Sequence, residues 1–140
     1  MHPQVIELLR SCALPVDDVS AVLDHFFVAM VGDRLVGTVG IEPLGDVALF
    51  RSLAVAPDWR GRGLARQLFE VARERAAQLG LRELVLLTTT AEAIFSRWGF
   101  LRIPRQEAPA SVQATAEYRT LCPGSAVVMH VAVAAANHRA

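Results

Sequence analysis

The sequence predicts an α+β (α/β) domain, a mixed and mostly antiparallel central sheet flanked by helices. Three observations carry this. FFVAMV, LVGTVGIE and VALFRSLAVAP follow one another with tight-turn signals between them, Gly32-Asp33 and then Pro43 with Gly45-Asp46, which makes an antiparallel meander. LARQLFEVARERAAQLG carries apolar side chains at Leu64, Leu68, Val71, Ala72, Ala76 and Leu79 with charges opposite, an amphipathic stripe that Gly80 closes. ELVLLTTT then reads as a short buried strand and AEAIFSRWGF as a short helix closed by Gly99, so strand and helix alternate after the meander.

The remaining elements follow in order. PQVIELLRSCAL has Val5, Ile6, Leu8, Leu9 and Cys12 at helical spacing, with Pro3 in the first turn and Pro15 as the stop. Asp17 and Asp18 cap a second short helix over VSAVLDH, and Pro57 ends the third strand. Residues 101–124 are rich in Pro, Ala and polar side chains, with a short helix around ASVQATAEYR. SAVVMHVAV is a final strand and AAANHRA a frayed tail.

With 140 residues, 53% of them apolar, the chain can bury a core unaided, and residues 1–140 are expected to form one domain. The 14 basic residues, all arginine, are cancelled by 14 acidic ones, so no overall positive field draws in nucleic acid or anionic lipid. Cys12 and Cys122 are too few and too far apart for a zinc pattern or a disulfide framework, and the four histidines form no metal motif. The N-terminal stretch lacks a signal-peptide pattern and no apolar run reaches membrane-spanning length, so a soluble, cytoplasmic protein without a membrane partner is expected.

The chemistry concentrates in PDWRGRGLAR. Where a strand ends and a glycine-containing turn opens a long helix, unpaired backbone N–H groups converge on one spot and the helix dipole adds partial positive charge there. Gly61 and Gly63 permit positive φ and let phosphate approach the backbone, while Arg60 and Arg62 can add charge-assisted bonds. A Walker turn is excluded because the chain has no lysine, and a dinucleotide turn because position 66 is Arg. An RGG-type nucleic-acid tract would lie in basic, repeated sequence, not between a firm strand and a firm helix.

Arg60, Gly61, Arg62, Gly63, Leu64 and Ala65 match [QR]-x-x-G-x-[GA], preceded by Leu53, Val55 and Pro57 as L-x-V-x-P and followed by ELVLLTT and WGF. On these residues the chain resembles the GNAT superfamily of acetyl-coenzyme A dependent N-acetyltransferases. The resemblance implies the GNAT fold, its sheet splayed at the coenzyme site by a β-bulge. Acetyl-CoA would be the cosubstrate, with no metal. Residues 61–65 would hold the pyrophosphate, with Arg60 and Arg62 assisting, and Leu53, Ala54 and Val55 the pantetheine arm. The backbone amide of Leu53 or Val55 would be the oxyanion donor for direct attack by an amine. Phe95, grouped with the coenzyme-binding residues, stands where many members place a tyrosine acid, which leaves Ser96, Thr89, water or no acid. Glu42, Asp46 and Glu92 are the base candidates. Family chains usually open with a strand, here missing or very short, so the sheet edge is expected to be protected by charge or covered in a homodimer.

Arg51 interrupts the most apolar strand, and its guanidinium needs either an internal carboxylate or one supplied by the substrate. Thr88, Thr89 and Thr90 end the next strand at the carboxyl edge of the sheet, where ligands collect; the last also reads as a cap. GDVALFRSLAV, LLTTTAEAIFSRWGF and EYRTLCPGSAVVM are similar to the arsenic-resistance N-acetyltransferase branch and, with it, to the acetyltransferase domain of N-acetylglutamate synthases. That likeness implies a small amino acid-like amine as acceptor, with Arg51, Thr88, Thr89, Tyr118 and Ser125 near it, and Cys122 in the same tail. The alternatives are a coenzyme A-binding protein that has lost catalysis and a protein or peptide N-acetyltransferase.

Overall fold

The computed structural model describes residues 2–19, 23–121 and 124–133. In chain order they form α1 (His2–Ser11), β1 (Phe26–Val31), β2 (Arg34–Leu44), β3 (Val47–Val55), α2 (Leu64–Gln78), β4 (Glu83–Thr88), α3 (Glu92–Arg97), β5 (Leu101–Ile103), α4 (Ala110–Gln113) and β6 (Val127–Ala132). The strands build one six-stranded sheet in the order β1-β2-β3-β4-β6-β5. Only β3 and β4 run parallel; the other neighbours are antiparallel. The expected mixed, mostly antiparallel sheet flanked by helices is thus present. Among the described residues no strand precedes α1, and β1 forms one edge of the sheet.

The meander forms as the alternation and turn residues require, with one difference. Pro43 lies inside β2, opposite Ala48, and only Gly45 and Asp46 turn the chain. The strand tolerates it because β1 last pairs β2 at Phe26 and Gly40, so beyond Gly40 that side of β2 is an open edge where a missing N–H costs no ladder bond.

Helix α2 buries Leu68, Phe69, Ala72 and Ala76 on the sheet. Val71 and Leu79, expected on that face, are exposed, while Phe69 is fully buried: the stripe is centred about one residue away from the expected line. Helix α1 covers the opposite face, placing Val5, Leu8 and Leu9 against Val36, Ala54 and Ala56. The expected helix over VSAVLDH is reduced, within the described residues, to a 3₁₀ turn at Leu23–His25, and positions 20–22, Cys122 and the tail at 134–140 lie outside them. Within 101–124 the sequence pattern does not reveal β5, whose three residues are too short for an alternation to register.

Three helices end in the same way. In α2 and α3 the closing N–H bonds run from Leu81 to Ala76 O and from Phe100 to Phe95 O, around Gly80 and Gly99 at positive φ. Helix α1 closes alike, Leu14 N–H to Leu9 O and Ala13 N–H to Arg10 O, but the left-handed position is Ala13 at φ 59°. The stop therefore precedes Pro15 and carries strain that glycine would not. Ala13→Gly is expected to stabilise the protein by about 0.5–1 kcal/mol, relief of the left-handed penalty less the added unfolded-state entropy, seen as a higher urea midpoint at unchanged m.

Candidate functional site

Strands β3 and β4 pair only at Val47 with Glu83, Ala48 with Leu84 and Leu49 with Val85. Past Leu49 they part, and a cleft of about 1070 Å³ opens between their carboxyl ends. A bulge accompanies the parting: Arg51 pairs with Gly40 and Ala54 with Thr38, so Ser52 and Leu53 stand against Val39 alone, with Ser52 at φ 60°. The extra residue reverses which face each side chain takes. Before it, Ala48 and Phe50 pack under α2; after it, Leu53 and Val55 do. Ala56 N–H donates to Val36 O on the β2 side, so by strand alternation the backbone groups of Leu53 and Val55 face the cleft.

The turn after β3 forms the cleft's outer end. Gly61 (φ 78°) and Gly63 (φ 80°, capping α2) are exposed, and a Cβ on either would meet no protein atom within 4 Å. The first-turn amides of α2, at Leu64 and Ala65, have no partner within the helix and project into this open space. The two arginines divide. Arg60 turns back, donating from Nε to Val55 O at 3.0 Å, and so ties the turn to the strand end; the Arg62 guanidinium lies 4.4 Å above the Trp59 ring.

The cleft wall is aromatic. Phe95 is buried and lines it, 5.5 Å from Phe100 and 6.0 Å from Phe50 between ring centroids, and brings no proton donor. Thr88, Thr89 and Thr90 line the β4 side. No side chain caps α3, whose N-cap is Ala91, so Thr90 is not the expected cap; Thr88 Oγ1 instead accepts the N–H of Ala91 at 3.0 Å and ties the end of β4 to the start of the helix. Ser96 is exposed on α3.

On the face opposite α2 the guanidinium of Arg51, 3% exposed, sits among carboxylates. Both its Nη atoms donate to Asp18 at 2.6 Å; Glu42 Oε1 lies 3.4 Å from Nη1 and Glu117 Oε2 3.7 Å from Nε. Burial disfavours the charge, but the hydrogen bonds to Asp18 and the charges of Glu117, Asp18 and Glu42 outweigh it and hold the pKa above the usual arginine value. Of the two partners the sequence left open for Arg51, the internal carboxylate is the one present.

Other predicted site residues lie elsewhere. Asp46 sits in the turn at the start of β3, bonded to Arg82 and 70% exposed, at the far end of the strand from the cleft. Glu92 pairs with Arg102 at 3.8 Å on the outer side of α3. Tyr118 points away, its hydroxyl donating to Arg105 O while Arg105 stacks on its ring; Ser125 is exposed and outside the cleft lining. Glu117, absent from the expected set, lines the cleft. Its signal was not local: Glu117 and Asp18 approach Arg51 only through the fold. Among the described residues no group of three His, Cys, Asp or Glu is placed to hold a metal, and no helix is long and apolar enough to cross a membrane.

Comparison with known proteins places this architecture. The family model for the GNAT acetyltransferase domain matches residues 23–102, more than half of the chain. A mycothiol acetyltransferase of Geodermatophilus obscurus is 36% identical over 88 residues, 55% of this chain and 29% of that protein, so the chain spans under a third of that relative. The N-acetylglutamate synthase of Neisseria gonorrhoeae, solved with coenzyme A and N-acetyl-glutamate, superposes with a TM-score of 0.82 at 17% identity, over 94% of this chain and 32% of that one. A Mycobacterium tuberculosis protein solved with CoA superposes at 0.77 with 21% identity, over 94% and 93%. At these identities the solved structures establish the fold.

Arg51→Met leaves three carboxylates facing an apolar side chain, and is expected to cost about 3 kcal/mol or more, read as a lowered thermal midpoint. Lys at the same position, a point charge unable to form the paired bonds to Asp18, should recover only part of the loss.

Proposed function

Because the chain belongs to the GNAT acetyltransferase family, we propose that it is an acetyl-CoA-dependent N-acetyltransferase acting on the primary amine of a small acceptor. The observation that carries this is a single continuous cleft with bare helix-terminal amides at one end and an unpaired strand edge along its length. The turn at 61–65 suits a pyrophosphate: the open space around Gly61 and Gly63 admits phosphate oxygens to the amides. The cleft-facing backbone groups of Leu53 and the Val55 N–H suit the amides of a pantetheine arm, the Val55 carbonyl being held by Arg60, with Ala54 bonded on the other side to β2. Acetyl-CoA supplies a thioester whose acyl carbon an amine can attack. A backbone N–H of Leu53 or Val55 then serves as the preorganised donor to the developing oxyanion.

An amino acid-like acceptor is the finer form of this reading. It is supported by the fold shared with a synthase solved with N-acetyl-glutamate and by the tail resemblance to the arsenic-resistance branch. Arg51 does not add to it, since three internal carboxylates already surround that guanidinium. Thr88 and Thr89 at the β4 end remain the polar groups for the acceptor. A coenzyme-binding protein without catalysis has one observation on its side, the missing hydroxyl at Phe95.

The test is thiol release from acetyl-CoA against amino acids and other primary amines. Turnover with any of them supports the transferase; tight CoA binding with no turnover would leave the non-catalytic reading. Gly63→Val places a β-branched side chain at a left-handed position and fills the space in front of the amides. It is expected to weaken CoA binding at least tenfold by calorimetry, while the thermal midpoint shows that the variant folds; unchanged affinity would mean that the phosphates bind elsewhere.

A further inference from the structure

We propose that Arg97 of α3 and Arg66 of α2 form a second phosphate site in the cleft, which takes the 3′-phosphate on the ribose of coenzyme A and lets the protein tell CoA from carriers that lack that group; this rests on the coenzyme reading above. Charge singles the pair out. Besides Arg51, which three carboxylates surround, the cationic side chains lining the cleft are Arg60, Arg66 and Arg97. Among the described residues the lining holds one carboxylate, Glu117, and it lies beside Arg51. The end of the cleft between the glycine turn and α3 is therefore lined by arginine without a carboxylate.

The three arginines are not equally free to meet a ligand. Arg60 is committed, donating from Nε to Val55 O and from Nη2 to Cys12 Sγ at 3.4 Å. Arg97 has no ion pair or hydrogen bond among the described residues. It stands in the last turn of α3, one turn beyond Ile94, which also lines the cleft and is 42% exposed. Arg66 pairs with Glu70 at 2.8 Å, a solvated i,i+4 contact whose carboxylate is outside the cleft lining. Such a pair is weakly held, and a doubly charged anion can draw the guanidinium from it at little cost.

The packing of the two helices aims the pair. Phe69 of α2 and Trp98 of α3 stack with centroids 5.2 Å apart and 14° between planes. The Arg66 guanidinium lies 5.4 Å from the Phe69 centroid and 5.8 Å from that of Trp98, so it leans from α2 toward α3. Arg97 directly precedes Trp98, and the stack thus brings the last turn of α3 against the start of α2, where both cations line the cleft.

The covalent structure of the coenzyme supplies the remaining constraint. Its diphosphate and its 3′-phosphate are carried by one ribose ring, so a diphosphate on the amides of Leu64 and Ala65 leaves the 3′-phosphate within a sugar's breadth of them. Arg66 is the next residue of α2, only about 3 Å along the helix axis from Leu64. Arg62, the other cation of the turn, lies over Trp59 and outside the cleft lining. A phosphate monoester carries nearly two negative charges at neutral pH, and the planar guanidinium offers it paired donors. A phosphopantetheine arm on a carrier protein has no such group and would forgo the contact.

The experiment is calorimetry of CoA and of 3′-dephospho-CoA on the wild-type protein, Arg97→Gln, Arg66→Gln, the double variant and Arg102→Gln, an exposed arginine of β5 outside the cleft lining. The wild type is expected to bind CoA about tenfold, and at least fivefold, more tightly than dephospho-CoA. Each single change should remove part of that preference and the double variant should bring it within twofold, with the affinity for dephospho-CoA unchanged; Arg102→Gln should keep the wild-type preference. A wild-type preference below fivefold, or a double variant that still prefers CoA by more than twofold, overturns the site while leaving the coenzyme reading intact. Failure of the wild type to bind either ligand defeats the coenzyme reading, and this one with it. Should the double variant fail to fold, as its thermal midpoint would show, the single variants decide: the site is overturned if neither lowers the preference at least twofold.

Discussion

The parting of β3 from β4 after three paired residues is the constraint on which the rest of the structure depends. Adjacent parallel strands normally continue their ladder, since each unpaired N–H and C=O buried without a partner costs free energy. Here the bulge at Ser52 and Leu53 turns β3 aside, and the left-handed φ of Ser52 is the local cost. The separation leaves a row of backbone groups with no strand to bond; Arg60 Nε meets the Val55 carbonyl, and the others face the cleft. A cleft of about 1070 Å³ that passes between the strands is thus a consequence of one inserted residue rather than of loops folded around a hole.

The same insertion separates the two chemistries. Without it, residues of even number would face α2 throughout β3, and Arg51, Leu53 and Val55 would share the opposite face. With it, Arg51 stays on the α4 side among carboxylates, whereas Leu53 and Val55 pack beneath α2 next to the glycine turn. The glycine turn and a carboxylate-rich cluster are thereby brought within a few residues of one strand, while Phe50, Phe69, Phe95 and Phe100 pack together in the core under α2.

Much of this was legible in the chain. Gly61 and Gly63, Pro57 and the stripe of α2 declare the strand–turn–helix unit because each residue acts on its own backbone, and such effects are local. The ends of α2 and α3 at Gly80 and Gly99 were readable for the same reason, and the end of α1 was not, because Ala13 occupies a glycine position. The carboxylates were illegible for the converse reason. Asp18 reaches Arg51 across 33 residues of sequence, and Glu117 and Arg51 are farther apart still, so no periodicity relates them. Tyr118 illustrates the limit from the other side: adjacent to Glu117, it points the opposite way, and only the π-helical turn decides which of the two enters the cleft.

The absence of a tyrosine hydroxyl at position 95 is compatible with the proposed reaction when magnitudes are compared. A thiol with a pKa of about 8.5 leaves as thiolate near neutral pH with little need of an acid, so losing the donor costs a modest factor. An alkylammonium of pKa about 10.4 presents only about one neutral molecule in 2,500 at pH 7, so a base acting on the acceptor governs a far greater part of the rate. For an α-amino group of pKa about 8 the neutral fraction is about one in ten, and the same base matters less. For the proposed transferase, the hydroxyl that Phe95 lacks therefore bears on the step with the smaller barrier, and deprotonation of the acceptor is the step with the larger one.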